Sequence, residues 1–137
     1  MRKMALDIGT VRIGIATSDP MAIIASGYET YVRTTNTETD MKYLANLAQE
    51  KDCDTIILGL PLNMDGTEGD KVKEIRAFSE ELSKFTDKKI VFQDERWSTV
   101  SAEKALISGS VRREKRKKII DKVAATIILQ TYLDRIN

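Results

Sequence analysis

Acidic side chains at three separate places are the strongest candidates for chemistry in this sequence of 137 residues. Asp7 ends the first apolar run, Asp94 and Glu95 end the last one, and Asp121 lies beside the apolar stripe of the predicted C-terminal helix. A buried carboxylate without a partner is unfavourable, so we expect a compensating group near Asp121. These positions indicate an acidic site if the fold brings them together.

The residue types that are missing narrow the chemistry. The sequence contains no histidine and a single cysteine, Cys53, which excludes Ser-His-Asp and Cys-His catalysis, His-ligated zinc and internal disulfides. Carboxylates must therefore carry any catalysis, and carboxylate oxygens favour hard cations such as Mg²⁺ or Mn²⁺. Two such ions roughly 4 Å apart can activate water and stabilise the leaving oxygen of a phosphodiester. The sequence predicts phosphodiester hydrolysis.

Hydrophobic periodicity predicts the elements that must position these acids. Short runs of apolar, β-branched and aromatic residues predict strands over residues 3–8, 13–17 and 23–32, and their short connections favour antiparallel pairing. Continuous apolar runs predict two further strands, over residues 55–60 and 90–92. Helical spacing predicts a helix over 38–51 capped by Thr37, a second one within 72–85, a third from Ser98 or Thr99 to about 108, and a fourth over 114–135.

This order of elements predicts an α/β fold with a five-stranded mixed sheet flanked by helices, in one domain over residues 1–137. Right-handed crossovers place strands four and five parallel to strand one. If strand four lies beside strand one, the carboxyl ends of strands one, four and five open onto one crevice. The acids at 7, 94 and 95 would then lie at the usual ligand site of such a sheet.

Two polar segments predict contacts to a phosphate backbone. Asn63 and Thr67 lie in a glycine-rich loop directly after strand four, and residues 112–118 hold six bases in seven positions just before Asp121. Arg12 and Arg96 lie beside acidic positions and could clamp a phosphate. The predicted nucleic-acid contacts are Arg12, Asn63, Thr67, Arg96, Arg112, Arg113, Arg116 and Lys117.

Charge is unevenly distributed although 22 Lys and Arg nearly balance 21 Asp and Glu. Residues 38–81 hold eleven acids and five bases, whereas residues 104–118 hold seven bases and one acid. Such asymmetry favours a face that binds a polyanion, namely nucleic acid. No apolar run is long enough to span a membrane and no signal peptide is recognised, so we expect a cytoplasmic protein.

Four motifs in order resemble the YqgF/RuvX family over nearly the whole chain: residues 7–16 (DIGTVRIGIA), 59–67 (GLPLNMDGT), 94–99 (DERWST) and 120–125 (IDKVAA). The resemblance implies an RNase H-like fold related to the RuvC resolvases, a divalent-metal nuclease activity, and maturation of the 5′ end of precursor 16S ribosomal RNA. Carried over by position, it implies that Asp7, Glu95 and Asp121 are the catalytic, metal-binding acids. Unlike RuvC-like enzymes, the sequence has no second acid within a turn of Asp121.

Three alternatives stay open at this point. Some members of the family have been discussed as Holliday junction resolvases, which would need two active sites on a dimer, and either a monomer or a homodimer is compatible with the sequence. Asp7-Ile8-Gly9-Thr10 also resembles the first phosphate loop of the actin, hexokinase and Hsp70 superfamily, which clamps ATP between two such domains. A catalytically silent RNA-binding module would depend on the basic run and not on the acids.

Overall fold

The computed structural model describes residues 1–95 and 113–137, with side chains in the second range from residue 120 onward. The described elements follow in the order β1 (Arg2–Ile8), β2 (Arg12–Ser18), β3 (Ala25–Val32), α1 (Thr37–Glu50), β4 (Cys53–Leu60), α2 (Asp70–Ser83), β5 (Lys89–Asp94) and α3 (Arg113–Ile136). The predicted helix at 98–108 lies outside the described residues. None of the described helices is long and apolar enough to cross a membrane.

The strands form one mixed sheet in the order β3-β2-β1-β4-β5. β1 pairs antiparallel with β2, and β2 pairs antiparallel with β3. β4 lies parallel to β1 on its other side, and β5 lies parallel to β4. The predicted α/β class, the antiparallel first three strands and the parallel direction of strands four and five are confirmed. Strand four does lie beside strand one, which is the condition for the shared crevice.

Helices cover both faces of the sheet, and each face has its own core. Alternate residues of β1 are divided between them: Leu6 and Ile8 pack with α1 and α2, whereas Ala5 packs with α3. Successive side chains of a strand point to opposite faces. Residues of β1 that are two positions from Ala5 therefore share the face covered by α3.

Two predicted boundaries are wrong, and local side-chain hydrogen bonds explain both. The sequence predicts Thr37 as the cap of the first helix, but Asn36 caps it, because its side-chain oxygen accepts from the amide of Thr39 at 3.0 Å. The sequence predicts that the third strand begins at residue 23. It begins at Ala25, because the Asp19 carboxylate captures the amides of Ile23 and Ile24, both at 2.8 Å, and holds that segment in a turn.

Candidate active site

Asp7 lies one residue before the end of β1, on the sheet face that packs against α3. It shares this face with Ala5, two residues earlier, which is part of the α3 core. On the neighbouring strand it pairs with Gly14. Partners of an antiparallel pair have Cα atoms about 4.5–5.5 Å apart, so whatever touches Gly14 on this face lies next to Asp7.

Asp121 is that neighbour, because the backbone of α3 rests on Gly14. A Cβ atom at position 14 would lie 2.0 Å from the carbonyl oxygen of Asp121 and 3.1 Å from its Cα atom. Only a glycine allows so close an approach of helix and strand. One turn further along, Ala124 and Ala125 are fully buried, and their small side chains keep the helix close to the sheet. The structure thus places Asp121 beside the strand pair that carries Asp7.

Glu95 reaches the same face from the end of β5. Its amide donates to the carbonyl oxygen of Leu60 at 3.0 Å, which continues the parallel ladder between β4 and β5. Its carboxyl group lies over Gly59, where a Cβ atom would meet the Glu95 Cδ and Oε2 atoms at 2.8 Å and the Ile128 Cδ1 atom at 2.7 Å. Gly59 follows Leu58, which pairs with Leu6 of β1, so the Glu95 carboxyl group lies over the strand beside the end of β1.

Asp94 points the other way. Ile90 and Phe92, two and four residues earlier in β5, pack against the core formed with α1 and α2. By the alternation of a strand, Asp94 belongs to that face. The residue pattern left both acids of the Asp94-Glu95 pair open, and the structure places only Glu95 on the face of Asp7 and Asp121.

The residue types on this face fit a hard divalent cation, because Asp7, Glu95 and Asp121 carry carboxylate oxygens. Gly14 leaves space for the Asp121 backbone, and Gly59 leaves space for the Glu95 carboxyl group. Within residues 1–95 and 113–137, however, no group of three or more acidic or thiol side chains is gathered tightly enough to hold a metal ion. The acids share one face, and binding a cation would require their side chains to close in on it.

The turn that follows Asp7 is held by two arginines. The amide of Gly9 donates to the carbonyl oxygen of Arg12 at 2.8 Å, and Arg33 Nη1 donates to the carbonyl oxygen of Gly9, also at 2.8 Å.

The Arg12 side chain lies on the same sheet face as Gly14, which is two residues further along β2. Its Nε atom is buried and, among the described residues, has no hydrogen-bond partner. A buried guanidinium nitrogen of this kind is suited to receive an anion.

Asn63 and Thr67 are brought together in the loop between β4 and α2. The backbone closes a turn through Asn63 N to Thr67 O at 3.0 Å and Gly66 N to Asn63 O at 2.8 Å, with Gly66 at a φ of 86°. The two side chains bond to each other, Asn63 Nδ2 to Thr67 Oγ1 at 2.9 Å, and Thr67 Oγ1 donates to Asp65 at 2.6 Å. A phosphate would have to replace part of this network, so the loop is a structured turn in its own right.

Three of the remaining predicted contacts lie at the start of α3. Arg113, Arg116 and Lys117 fall within its first two turns, which a rise of about 1.5 Å per residue puts roughly 6–12 Å along the axis from Asp121. Arg96 and Arg112 lie outside the described residues. The basic segment therefore runs into the helix that carries Asp121, as the sequence predicts.

Sequence reasoning missed the residues that make the acidic site possible. The sequence analysis gives Gly14 and Gly59 no role in positioning the acids, although a glycine inside an apolar strand is a known signal of close backbone approach. Gln93 was also missed. It pairs with Gly59 across the sheet, is only 6% exposed, and its Oε1 atom has no hydrogen-bond partner among the described residues.

The strand order β3-β2-β1-β4-β5 is that of the RNase H-like fold. Thermus thermophilus RuvC, solved in complex with a Holliday junction substrate, matches the fold with a TM-score of 0.58 at 9% identity, over 100% of this chain and 96% of that one. At this identity the likeness shows the fold alone.

The chain belongs to the RuvX family, whose model is described as Holliday junction resolvase and matches residues 1–135. A relative from Halalkalibacterium halodurans is 46% identical over 136 residues, covering 98% of this chain and 97% of its own length. One from Desulforamulus reducens is 47% identical over 134 residues, covering 98% and 97%. Both are named "Putative pre-16S rRNA nuclease". The chain is thus a member of a nuclease family, whose enzymes hydrolyse nucleic acid.

Proposed function

We propose that this protein is a divalent-metal-dependent nuclease that hydrolyses phosphodiester bonds in precursor 16S ribosomal RNA and acts at its 5′ end, in the cytoplasm. The names of relatives at 46% and 47% identity support this substrate. The observation that carries the proposal is the contact of the Asp121 backbone with Gly14, the strand partner of Asp7. It brings two acids that are far apart in the sequence to one face of the sheet.

Asp7, Glu95 and Asp121 would hold Mg²⁺ or Mn²⁺. When bound, such a cation activates the attacking water and stabilises charge on the leaving oxygen of the phosphodiester. The protein's own part is to position these carboxylates. Gly14 allows the backbone of α3 at Asp121 to lie against β2, and the hydrogen bond from the Glu95 amide to the Leu60 carbonyl oxygen holds the backbone of Glu95 beside β4. No imidazole base is needed for this chemistry.

The basic side chains would hold the strand against the acids. Arg12 shares the face of Asp7, and its buried Nε atom is suited to one phosphate. Arg113, Arg116 and Lys117, with Arg96 and Arg112, would neutralise further phosphates, which makes binding strongly dependent on salt. Asn63 and Thr67 would contact the backbone from the loop after β4.

The test is a cleavage assay with purified protein, Mg²⁺ or Mn²⁺, and a precursor 16S RNA fragment. Asp7→Asn and Asp121→Asn are each expected to abolish cleavage and to leave RNA binding largely intact, because they remove a cation ligand and no phosphate contact. Asp134→Asn is the matched control, since it makes the same substitution near the other end of α3. Equal cleavage by parent and Asp7→Asn protein would refute the metal site.

The family description favours one second candidate, resolution of branched DNA. The same assay should therefore offer a four-way DNA junction beside the RNA, with the same cations and enzyme concentration. Cleavage of the RNA alone supports the proposed substrate. Symmetrical cutting of the junction, with the RNA intact, supports the resolvase instead.

A further inference from the structure

A cavity of about 240 Å³ lies on the sheet face opposite to α3, between α1 and α2. Its floor is apolar, with Ile8 and Phe78, and its rim is charged, with Arg33, Glu74 and Glu81. Ligand pockets for drug-sized molecules measure about 300–1,000 Å³. The cavity is therefore of the right size for a single flat group such as one nucleobase.

The position of the cavity connects it to the candidate active site. Ile8 directly follows Asp7, and successive strand residues point to opposite faces, so the acid and the cavity lie on the two sides of one strand end. Arg33 joins them, because it lines the cavity and donates to the carbonyl oxygen of Gly9, in the turn after Asp7. A nucleic-acid strand that passes over this edge of the sheet can place a phosphate at Asp7 and a nearby base in the cavity.

The chemistry of the lining fits an unpaired purine. The Arg33 guanidinium lies over the Phe78 ring, with Cζ 5.5 Å from the ring centroid, and splayed RNA bases commonly stack on arginine planes and aromatic rings. Glu74 and Glu81 offer carboxylate acceptors at the rim. Each lies in a surface ion pair, Glu74 with Lys71 at 3.9 Å and Glu81 with Lys84 at 2.9 Å, so a bound guanine would take the place of, or add to, these solvent-exposed contacts. Guanine presents two adjacent N–H donors that suit one carboxylate, together with acceptors for a cation, whereas adenine lacks that donor pair.

We infer that this cavity is a subsite for an unpaired guanine of the RNA strand, located next to the scissile phosphate. The inference rests on the proposed function, because it takes the ligand to be part of the same strand. It adds a base-specific contact to a site whose other predicted contacts are all to phosphate.

The test measures binding of fluorescein-labelled heptaribonucleotides of uridine with one central guanine, adenine or inosine, in EDTA so that no hydrolysis occurs. The parent protein is expected to prefer the guanine oligomer over the adenine one by about tenfold. Ala77→Leu fills the cavity from an exposed position on α2 and is expected to weaken binding of the guanine oligomer by about tenfold. The double variant Glu74→Gln, Glu81→Gln is expected to lose the preference over adenine and inosine.

Glu80→Gln is the matched control, because it removes a charge from the same helix at a residue that does not line the cavity. Melting temperatures of all variants verify that they fold. Equal affinity of parent and folded Ala77→Leu protein for the guanine oligomer, or an unchanged preference in the double glutamine variant, overturns the subsite. Because the readout needs no hydrolysis, a preserved guanine preference without cleavage of precursor RNA counts against the nuclease proposal alone.

Discussion

The carbonyl oxygen of Asp121 lies where the side chain of any residue other than glycine at position 14 would begin. The separation of 2.0 Å from an added Cβ atom is far below van der Waals contact, and the conflicting atom belongs to the helix backbone. Backbone cannot rotate away as a flexible side chain can. The position of Asp121 relative to Asp7 therefore depends on Gly14.

Gly14→Ala is expected to displace α3 from β2, to destabilise the protein by about 3 kcal/mol, as overpacking of a core does, and to abolish nuclease activity. Thermal denaturation and the cleavage assay measure the two effects. The control is Gly27→Ala in β3, where a Cβ atom would lie 3.3 Å from the Thr126 Oγ1 atom and 3.4 Å from the Lys122 Cβ atom, a contact that small side-chain shifts can relieve. If Gly14→Ala and Gly27→Ala behave alike, the close packing of α3 is not what positions Asp121.

Patterns that depend on neighbours in sequence were enough to predict most of the fold. Apolar runs predict the strands, and short connections predict the antiparallel order of the first three. Right-handed crossovers predict that strands four and five run parallel to strand one, and this direction is confirmed. The wrong boundaries arose where one polar side chain captured backbone amides, as Asp19 and Asn36 do. Helix and strand propensities and hydrophobic periodicity do not predict these side-chain hydrogen bonds to backbone amides, because the bonds depend on the geometry of the turn.

The candidate site could be predicted only in part. The sequence, with the family resemblance, predicts Asp7, Glu95 and Asp121, but the spaces at Gly14 and Gly59 that let α3 and the Glu95 carboxyl group lie against the sheet exist only in the packed structure. Choosing Glu95 over Asp94 likewise needed either the resemblance or the alternation of β5, since adjacent residues of the same type give no signal in one sequence. Hydrophobic periodicity also predicts neither cavities nor buried polar atoms that lack a hydrogen-bond partner among the described residues, such as the Gln93 Oε1 atom.

Glu95→Gln and Asp94→Asn test that choice directly. Removing a residue that merely supports a metal ligand lowers activity by roughly 10–100-fold, so loss of a ligand itself should exceed this range. We expect kcat of Glu95→Gln to fall by more than about 100-fold, and Asp94→Asn to retain most of its activity. Steady-state cleavage of precursor RNA at saturating Mg²⁺ measures both, and a larger defect in Asp94→Asn would reverse the assignment.

The basic segment is expected to control the dependence of RNA binding on salt. Replacing Arg112, Arg113, Arg116 and Lys117 by alanine removes four predicted phosphate contacts, so the slope of log K against log salt concentration should become shallower by about 3 for a single strand. Fluorescence anisotropy titrations between roughly 50 and 200 mM KCl, an interval over which such contacts change affinity by orders of magnitude, give the slope.

A second variant separates location from net charge. Alanine at Lys42, Lys73, Lys84 and Lys89 removes the same number of charges from exposed positions on α1, α2 and β5 and the turn between them. Its slope is expected to stay within about one unit of the parent value, since no phosphate contact is lost. Equal slopes in the two quadruple variants would mean that the segment before Asp121 lies off the path of the strand.

Asp19 is expected to make the stability of the protein depend on pH in the acid range. The amides of Ile24 and Ile23 donate to its carboxylate, and these bonds hold its pKa below the ordinary value of 3.8. A depressed pKa in the folded state stabilises the protein above the unfolded pKa of about 3.9, and this contribution is lost as the pH falls through the folded pKa. Asp19→Asn removes the charge and keeps a residue suited to the turn.

We therefore expect Asp19→Asn to melt at a lower temperature than the parent at pH 7, and the difference to shrink as the pH falls from 4 to 2. Asp87→Asn, at an exposed aspartate before β5, is the control for a general effect of net charge. Thermal denaturation at pH 7, 5, 4, 3 and 2 gives the comparison. A difference that stays constant down to pH 2 would show that Asp19 acts through turn geometry and not through its charge, because only the charged form is lost over that range.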